Sequence, residues 1–388
     1  MANFSGLIKN CYRLPWTLNN NPNGWIEPTT CCQLKCPGCY RGRDKDGVAC
    51  MYLDLDELKN QINRFINERN VETISIAGGE PLLYPKLKEL ILYIKSRKLK
   101  TRIFTNGVLL DAELLEKLKE WGASEIVIHV DKFQTRNGVK FSNEAEVNKI
   151  REEYCNIFRK TSGINLGFIQ PFSKDSLSNI PEVLGFMRKN ADIVSVIVFT
   201  LYSDINWNNS VRANIDTDIK VSDVVNEIEN HFNYIPCSYL GSTEDPDDPT
   251  WLFSISASYK DSSIGFFDGK FDGEIESRYY ARKGKYLITK VGNKISIFKL
   301  IKFINYKCIR DILKNYIISL IKKPSRIKEE TYLQKFLILR GPKFSQNGVR
   351  DLCAGCPDVM FYDNKLVPSC ILDEIKLGRD FEFKDWQL

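Results

Sequence analysis

Three closely spaced cysteines near the amino end of the chain have the spacing of metal-cluster ligands. Cys32, Cys36 and Cys39 stand in a Cys-x3-Cys-x2-Cys run directly after a short apolar segment. Iron–sulfur clusters are held by cysteine thiolates, and a [4Fe–4S] cluster normally takes four of them. The spacing therefore predicts a cluster with one iron left open, and that open iron is where chemistry is expected.

A second set of cysteines follows near the other end of the chain, with the spacing Cys-x2-Cys-x13-Cys: Cys353, Cys356 and Cys370. Between its second and third members, Asp363-Asn364-Lys365 predicts a hairpin turn. Three ligands again leave one iron open or require a fourth ligand from elsewhere, for which Cys237 and Cys308 are the nearest candidates. Zinc is the alternative metal, because Cys-x2-Cys pairs also form tetrahedral zinc sites.

The elements that must position these residues follow from hydrophobic periodicity. Apolar strand-like runs alternate with amphipathic helical patterns. The expected strands are residues 25–30, 72–77, 101–105, 125–130, 165–169 and 193–200. The expected helices are residues 55–69, 87–97, 112–121, 144–161, 181–189 and 224–232. Six βα units in series favour a parallel α/β sheet that closes or nearly closes into a barrel, because each parallel pairing needs a crossover helix.

The first cysteine run resembles the signature of the radical S-adenosylmethionine (radical SAM) superfamily. After the second expected strand the chain continues Gly78-Gly79-Glu80-Pro81, which is similar to that family's Gly-Gly-Glu-Pro motif, and Asn106 follows the third strand. The resemblance implies a partial (βα)6 TIM-like barrel, whose active groups gather at the carboxyl ends of the strands. It also implies an enzyme in which a [4Fe–4S] cluster reductively cleaves S-adenosylmethionine to a 5′-deoxyadenosyl radical that abstracts hydrogen from a substrate.

The same resemblance implies which residues contact the cofactor. Gly78 and Gly79 let the backbone approach a ligand closely, and Glu80 is expected to accept hydrogen bonds from the ammonium group of S-adenosylmethionine. Much of the family has an aromatic residue before the third cysteine, whereas this chain has Gly38. Tyr40, just after the run, is expected to take its place. The structural alternative for these motifs is an ordinary turn at a strand end.

The fourth expected strand carries candidate catalytic groups. Its period-two geometry sends His129 and Asp131 to one face together. We expect this pair to line the barrel mouth, where it would contact the cofactor, bind substrate or relay a proton. A buried hydrogen-bonded pair is the structural alternative. Gln170 and Arg136 are weaker candidates, and Arg136 is expected at the surface.

The second cysteine set resembles the C-terminal auxiliary-cluster region, or twitch domain, of the molybdenum-cofactor GTP cyclase. This resemblance implies a second [4Fe–4S] cluster that passes an electron or binds substrate. That family ends in a Gly-Gly tail that completes its active site, whereas this chain ends Asp385-Trp386-Gln387-Leu388. The reaction is therefore expected to differ.

The composition indicates one large barrel with an appendage. The chain has 388 residues, of which 43% are hydrophobic, and the sequence contains no apolar run typical of a signal peptide or a membrane span. A cytoplasmic location is expected, where clustered cysteines indicate metal ligands rather than disulfides. The expected organisation is an N-terminal extension over 1–24, a radical SAM core over 25–233, a basic insertion or linker over 234–345, and an auxiliary iron–sulfur domain over 346–388.

The region from Arg278 to Arg350 is strongly basic, with nineteen Lys or Arg and three Asp or Glu, although the whole chain has a net charge of +6. Within it, apolar residues recur at helical spacing from Ile309 to Leu320. A basic amphipathic helix suits peripheral contact with an anionic membrane, and the charge also suits a phosphorylated substrate. The alternative is a segment that only packs over the barrel. Nucleic acid is disfavoured, because no RNA-binding fingerprint accompanies the charge.

Two substrate classes stay open at this stage. One is a lipid or isoprenoid, which the basic amphipathic stretch favours, and the other is a peptide or small phosphorylated metabolite. The resemblance also implies an electron donor such as a flavodoxin or ferredoxin. The alternative from another class is a non-catalytic iron–sulfur or zinc protein that retains the fold.

Overall fold

The computed structural model describes residues 4–37, 39–41, 49–134, 136, 138, 140–161, 163–202, 218–287, 293–344 and 350–376. Gly38 and residues 385–388, which carry two of the expectations above, lie outside the described residues. The helices are α1 (Phe4–Lys9), α2 (Leu55–Arg69), α3 (Leu87–Ser96), α4 (Ala112–Trp121), α5 (Glu144–Lys160), α6 (Ile180–Lys189), α7 (Val221–His231), α8 (Gly269–Lys283), α9 (Lys307–Lys322) and α10 (Leu372–Lys376).

The strands are β1 (Tyr12–Arg13), β2 (Asn23–Thr29), β3 (Thr73–Gly78), β4 (Lys100–Thr105), β5 (Ala123–His129), β6 (Asn165–Phe172), β7 (Val194–Leu201), β8 (Ser238–Gly241), β9 (Pro249–Ser258), β10 (Ser263–Phe266), β11 (Lys294–Ile295), β12 (Thr331–Leu339), β13 (Lys343–Phe344), β14 (Arg350–Asp351), β15 (Val359–Tyr362) and β16 (Lys365–Pro368). Each of the six strands expected from the sequence overlaps one of β2 to β7, and each of the six expected helices overlaps one of α2 to α7.

One mixed sheet organises the molecule. Its strands follow the order β1-β8-β9-β12-β7-β6-β5-β4-β3-β2, with β10 and β11 paired to β9 and β12. The neighbours from β2 through β7 to β12 all run parallel. Helices α2 to α6 each connect two successive parallel strands, as a series of βα units requires.

Local sequence explains why these helices form. In α2, Leu58, Ile62 and Phe65 recur at helical spacing and are fully buried, so one face of the helix packs on the sheet. Asp54 caps its first turn by accepting a backbone N–H at 2.8 Å. Asn70 ends it in the left-handed conformation, with φ at 57°.

The parallel strands curve around one cavity of about 430 Å³. Eight neighbouring strands contribute to its wall, in sheet order through Trp25, Ala77, Phe104, Val127, Ile169, Val198, Leu337 and Phe253. Alternate residues such as Ile126 and Ile128 of β5 point the other way and are fully buried in the core beneath the helices. The sheet is therefore a partial barrel whose interior is the cavity.

The basic region is continuous with this barrel. Strand β12 pairs parallel with β7 and antiparallel with β9, so residues expected to form an insertion or linker supply a seventh parallel strand and part of the cavity wall. Sequence reasoning missed this because β12 follows β7 only after a long stretch of chain. Strand pairing at that separation is a tertiary contact, which no local pattern reports.

Helix α9, the expected basic amphipathic helix, packs one face inward. Ile309, Ile312 and Tyr316 enter a second hydrophobic core together with β10. Strand β10 pairs with the last residues of β9, beside the amino end of β12. Helix α9 therefore lies at the amino end of the parallel strands, away from the loop that follows β2. Among the described residues, no helix has both the length and the apolar character needed to cross a bilayer.

The C-terminal segment forms the predicted hairpin and closes onto β2. Strands β15 and β16 pair around Asp363 and Asn364, whose φ angles of 47° and 61° are those of a two-residue hairpin turn. The Phe361 ring packs on Phe65 of α2 with centroids 4.7 Å apart, and Asn23 of β2 donates to the carbonyl oxygen of Pro357 at 3.2 Å.

Candidate functional site

The first cysteine set follows β2 and faces the cavity. Cys32, Cys36 and Cys39 all line it, whereas Cys31 is joined to Cys50 by a disulfide and is not available as a ligand. The sequence indicated metal ligands rather than disulfides, and for Cys31 and Cys50 this expectation is wrong. The three remaining thiols therefore form the metal-binding candidate at the carboxyl end of the barrel.

Side-chain amides point at two of these thiols. Asn106 donates to Sγ of Cys32, and Gln134 donates to Sγ of Cys36, each at 3.6 Å. Burial, followed by the charge of Asp131 and of the neighbouring cysteines, raises the pKa of the Cys36 thiol. Amide donors favour the charged form of a thiol, so this pocket suits thiolates whose charge is shared with a bound cation or cluster.

The Gly78-Gly79-Glu80 turn is pressed against the start of the cysteine loop. The Glu80 amide donates to the carbonyl oxygen of Cys31 at 2.6 Å. A Cβ at Gly79 would overlap that same carbonyl group, and Gly78 has a φ of 109°. Both glycines line the cavity. This close approach requires glycine, and it fixes the turn against the cysteine loop.

Glu80 lies behind the cavity wall rather than on it. Its carboxylate is fully buried and accepts hydrogen bonds from the Thr105 hydroxyl at 2.6 Å, from the Asn106 amide at 2.7 Å and from the Leu82 amide at 3.0 Å. Burial raises the Glu80 pKa, and these hydrogen bonds oppose the rise. Glu80 therefore orders the ends of β3 and β4, and direct contact with a cofactor ammonium group stays a prediction. Pro81 is buried at the start of the short helical turn that follows.

His129 lines the cavity and Asp131 lies behind it. His129 Nε2 and Asp131 Oδ2 are 2.5 Å apart, and the Asp131 carboxylate also accepts the Phe133 amide at 2.6 Å. Burial alone would raise the Asp131 pKa, but the interaction with His129 and these hydrogen bonds outweigh it and hold the pKa below its usual range. His129 alone is thus directed at the cavity, whereas Asp131, also expected to line it, is buried and orients the imidazole from behind.

Arg136 is buried, which contradicts the surface position expected for it. Its guanidinium donates to the carbonyl oxygen of Asn106 at 2.5 Å, to that of His129 at 2.6 Å and to the Gln134 side chain at 2.9 Å. It therefore ties the ends of β4 and β5 to Gln134, which reaches the cysteine loop. Nothing local in the sequence marks Arg136 or Gln134, because their partners come from other strands.

Gln170 does not reach the cavity. Its side chain is fully buried and bonds to Arg151 and, at 3.3 Å, to Glu144. Arg151 in turn forms an ion pair with Glu144 at 2.9 Å. Gln170 therefore belongs to a structural network beneath the site and is not placed to contact a ligand in the cavity.

Tyr40 belongs to a buried network that links the two cysteine sets. Glu27 of β2 accepts hydrogen bonds from Trp25 Nε1 at 2.8 Å and from the Tyr40 hydroxyl at 3.2 Å. Arg41 forms an ion pair with Glu27 at 2.5 Å and a second one at 3.5 Å with Asp373 of the C-terminal segment. Tyr40 lines the cavity, so it is placed to contact a ligand there.

The second cysteine set lines the same cavity. Cys353, Cys356 and Cys370 all contribute to its wall. The Cys356 thiol hydrogen-bonds to Cys353 and lowers the pKa of that thiol to about 7. Cys356 is near the first residue of β2, through the contact of Pro357 with Asn23, whereas the Cys32 loop follows the last residue of β2. That strand is about 20 Å long, so Cys356 is far from the Cys32 loop, whereas Cys353 lies beside Trp251 and Arg340 at the carboxyl end of β12.

Each cysteine of this second set is accompanied by a buried arginine: Arg340 for Cys353, Arg69 for Cys356 and Arg41 for Cys370. The Arg69 guanidinium donates to the Cys356 carbonyl oxygen, and its Nε and Nη1 have no hydrogen-bond partner within the described ranges. A fully buried cation of this kind requires a nearby negative charge. Asp358 and a Cys356 thiolate would both supply one, so the residues present fit an anionic metal cluster.

Neither of the expected fourth ligands is brought to this set. Cys237 is fully buried on the far side of β9, where its thiol donates to the Phe253 carbonyl oxygen at 3.5 Å, and Cys308, on the buried face of α9, lies in the second core. Neither lines the cavity. Across the described part of the chain, no three His, Cys, Asp or Glu side chains are grouped tightly enough for a single metal ion.

The rest of the wall is mostly aromatic and aliphatic, with a few charges. Trp16, Trp25, Phe104, Trp251 and Phe253 provide most of the aromatic surface. Arg340 and Asp351 lie on the wall just beyond the carboxyl end of β12, and most of the other charged side chains lie low in the barrel.

There, Arg102 forms an ion pair with Glu125, and Lys335 of β12 also faces the interior. Burial lowers the Lys335 pKa to about 8, opposed by the nearby charge of Glu125. The cavity thus offers an apolar wall over a largely neutralised ionic floor.

Residues 26–165 match the family model described as the Radical SAM superfamily. The probable GTP 3′,8-cyclase of Methanococcus maripaludis is 28% identical over 182 residues, which are 45% of this chain and 58% of that protein. The Fe-coproporphyrin III synthase of Methanosarcina barkeri is 28% identical over 162 residues, which are 41% of this chain and 39% of that protein. The chain therefore spans between about two fifths and three fifths of these relatives.

Among solved structures, Streptococcus suis SuiB bound to S-adenosylmethionine resembles the chain with a TM-score of 0.43 at 19% identity, over 55% of this chain and 47% of that one. This likeness is too distant to bear on the site.

Proposed function

Residues 26–165 form a radical SAM domain, and we propose from this premise that the chain is a radical SAM enzyme acting on a substrate held between its two cysteine sets. The observation that carries the proposal is the single cavity whose wall includes Cys32, Cys36, Cys39 and His129 together with the second cysteine set. A protein that only stored a cluster would not need an enclosed apolar space beside it.

In this proposal the first cysteine set holds a [4Fe–4S] cluster and the adjoining wall receives S-adenosylmethionine. The cluster, when reduced, would supply the electron that converts S-adenosylmethionine to a 5′-deoxyadenosyl radical. Gly78, Gly79, Asn106 and Tyr40 line the space next to the cysteines and are the proposed cofactor contacts, with Glu80 and Pro81 shaping the turn from behind.

The chain's own contribution is to place one C–H bond and to exclude water. His129, held by Asp131, is the proposed polar contact near the reacting end of the cavity. The aromatic wall excludes water from the rest, which protects a reactive species from side reactions. Cys353, Cys356 and Cys370 are proposed to hold the second cluster, on the wall of the same cavity.

For the substrate, the cavity favours the lipid or isoprenoid class over a phosphorylated metabolite. A ligand with large apolar area is bound best by apolar and aromatic walls, and these walls carry Trp16, Trp25, Trp251 and Phe253. Arg102 is paired with Glu125 and Arg340 with Asp351, and burial lowers the Lys335 pKa to about 8, so these cations are poorly placed to bind a phosphate. A peptide presenting an aromatic or aliphatic side chain is the second candidate.

The enzyme proposal is tested by anaerobic cluster reconstitution followed by addition of dithionite and S-adenosylmethionine. Dithionite replaces the proposed flavodoxin or ferredoxin donor. We expect 5′-deoxyadenosine from the wild type and from the matched variant Cys11→Ala, and none from the triple variant Cys32→Ala, Cys36→Ala, Cys39→Ala. A wild-type protein that binds iron at the first set but forms no 5′-deoxyadenosine would favour the non-catalytic alternative.

The substrate class is tested by isotope transfer. Wild-type protein is incubated with S-adenosylmethionine and either a lipid extract or a peptide and polar-metabolite extract, each from cells grown in deuterated medium. Hydrogen abstraction transfers deuterium to 5′-deoxyadenosine, which mass spectrometry detects. We expect deuterium from the lipid extract. Deuterium from the polar extract alone would contradict the lipid assignment.

A second observation supports peripheral contact with an anionic membrane. Seven large apolar side chains are exposed on α9 and on the flanking segments 297–304 and 324–328: Phe298, Ile301, Ile304, Ile317, Ile318, Ile321 and Ile327. Ile321 is 75% exposed and Ile327 is 65% exposed. Eight exposed basic residues lie among them: Lys299, Lys302, Lys307, Arg310, Lys314, Lys322, Lys323 and Lys328. Apolar side chains ringed by cations suit the interface of a bilayer that contains anionic lipids.

This surface would hold the protein at the membrane without covering the Cys32 loop, because α9 lies at the opposite end of the barrel. The test is flotation with vesicles of phosphatidylglycerol and phosphatidylcholine at low salt. We expect the wild type and Leu92→Ser, an exposed leucine elsewhere, to float, and the variant Ile317→Ser, Ile321→Ser to stay in solution. Failure of the wild type to float would contradict the membrane assignment.

A further inference from the structure

We infer that Asp358 is the fourth protein ligand of the second cysteine set, so that its cluster is closed by a carboxylate rather than left with an open iron. The inference rests on the proposed function, because it assumes that Cys353, Cys356 and Cys370 hold a [4Fe–4S] cluster. It assigns a ligand that the cysteine spacing alone leaves open.

The first support is position. Asp358 follows Cys356 by two residues and lines the cavity together with all three cysteines. Its carbonyl oxygen accepts the Ser369 amide at 2.9 Å, which joins its backbone to the segment that carries Cys370. The carboxylate is close enough to interact electrostatically with each of the three thiols.

The second support is that this carboxylate has no direct ion pair. Its side chain accepts a hydrogen bond from the neutral Asn23 amide at 3.3 Å. This distance is long for a hydrogen bond to a charged group. Arg69 and Arg102 are close enough to interact with it electrostatically, but no Lys or Arg forms an ion pair with it among the described residues. An enclosed carboxylate is unfavourable unless it is paired or coordinates a metal, and here coordination to iron would satisfy it.

The third support is elimination of the other acids on the cavity wall. Asp351 is paired with Arg340 at 2.7 Å, and Glu125 is paired with Arg102. Within the described residues that line the cavity, Asp358 is thus the acid without an ion pair. Cys237 and Cys308, the candidates from spacing, lie in other cores.

A closed cluster has a consequence for the reaction. With all four irons held by protein, the second cluster cannot bind substrate through a vacant iron. Recognition of the substrate then falls to the cavity wall, and the cluster is left with electron transfer or a structural role. The carboxylate is a harder donor than thiolate, so this iron is the one that differs from the other three.

The experiment isolates the second set by placing every variant in a Cys32→Ala, Cys36→Ala, Cys39→Ala background. Iron and sulfide content and circular dichroism are measured first, and the EPR spectrum of the dithionite-reduced cluster is then recorded with and without cyanide, which binds an open iron. The variants are Asp358→Ala and Asp358→Cys, with Asp363→Asn on the same hairpin as the matched control.

We expect the background protein, Asp363→Asn and Asp358→Cys to give spectra that cyanide leaves unchanged, and Asp358→Ala to give one that cyanide shifts. A cyanide-induced shift in the background protein itself would overturn the inference, and this outcome is decisive even if Asp358→Ala does not fold. An unshifted Asp358→Ala spectrum at full iron content would also overturn it. Formation of 5′-deoxyadenosine by the wild type depends on the first set and is scored separately, so failure of the ligand assignment leaves the enzyme proposal standing.

Discussion

Replacing Arg41 by methionine should destabilise the chain by about 3–5 kcal/mol. The Arg41 guanidinium and the Glu27 carboxylate are 2.5 Å apart, and their side chains are 4% and 6% exposed. At that distance, and with an effective dielectric constant of about 20, their attraction is roughly 6–7 kcal/mol. Methionine preserves most of the volume but leaves Glu27 charged and enclosed, with only the Trp25 and Tyr40 donors to offset its desolvation.

The assay is a double-mutant cycle on cluster-free protein, with urea unfolding followed by circular dichroism. Arg41→Met, Glu27→Gln and the double variant are compared with the wild type. Glutamine keeps an oxygen for Trp25 and Tyr40, so the double variant removes the charge without losing those hydrogen bonds. We expect it to be within about 1–2 kcal/mol of the wild type, since a buried ion pair contributes little beyond a well-packed neutral pair. Lys117→Met breaks an exposed pair with Glu113 and should cost less than about 1 kcal/mol.

The reasoning would be refuted if Arg41→Met were as stable as the Lys117→Met control, or if the double variant were no more stable than Arg41→Met alone. The first result would mean that Glu27 is neutral or solvated, and the second that the loss comes from packing. Because Arg41 also reaches Asp373, reconstituted Arg41→Met should take up less iron at both cysteine sets.

Three further predictions concern the site. Gly79→Ala should lower iron incorporation at the first set, because its Cβ would displace the Cys31 carbonyl group; Gly185→Ala, where nothing lies within 4 Å of the new Cβ, should leave iron content unchanged and stabilise its helix by about 0.5–1 kcal/mol. Asp131→Asn should keep full iron content but reduce 5′-deoxyadenosine formation roughly 10- to 100-fold, the equivalent of a lost charge-assisted hydrogen bond to His129 of about 1.5–3 kcal/mol; equal turnover would contradict a positioning role. The Asp131 pKa is lower in the folded chain than its unfolded value of about 3.9. Its contribution to stability is therefore present above that value and lost as pH falls through the folded pKa. The difference in unfolding free energy between wild type and Asp131→Asn at pH 5 should shrink as the pH falls below about 4, whereas a difference that kept growing below pH 4 would show the opposite sign.

The local pattern of apolar and polar residues in the sequence predicted much of the secondary structure. The helix expected over 55–69 matches α2 residue for residue, because its apolar spacing and its Asp54 cap act within a few turns. The hairpin turn at Asp363 and Asn364 was also predicted correctly from the sequence, because those residue types adopt positive φ at little cost. The period-two pattern of the fourth strand also placed the imidazole of His129 on the cavity face, for the same local reason.

The local sequence pattern did not predict which charged side chains are buried. Arg136 was expected at the surface, and the sequence around Arg41 and Asp358 gives no indication that their side chains are enclosed. Whether an arginine or an aspartate is enclosed depends on partners such as the His129 carbonyl oxygen or Glu27. Those partners come from other strands, so composition and spacing around the residue itself contain no information about them.

The sequence by itself thus determined two three-cysteine sets, a radical SAM motif order and a series of βα units. Only the tertiary structure decided that both sets face one cavity, that β12 from the basic region completes its wall, and that Glu80 supports the wall from behind. The physical reason is that cysteine spacing and helix periodicity are short-range properties of the chain. The shape and charge of the cavity arise instead from the packing of strands far apart in sequence, and the choice of substrate depends on that packing.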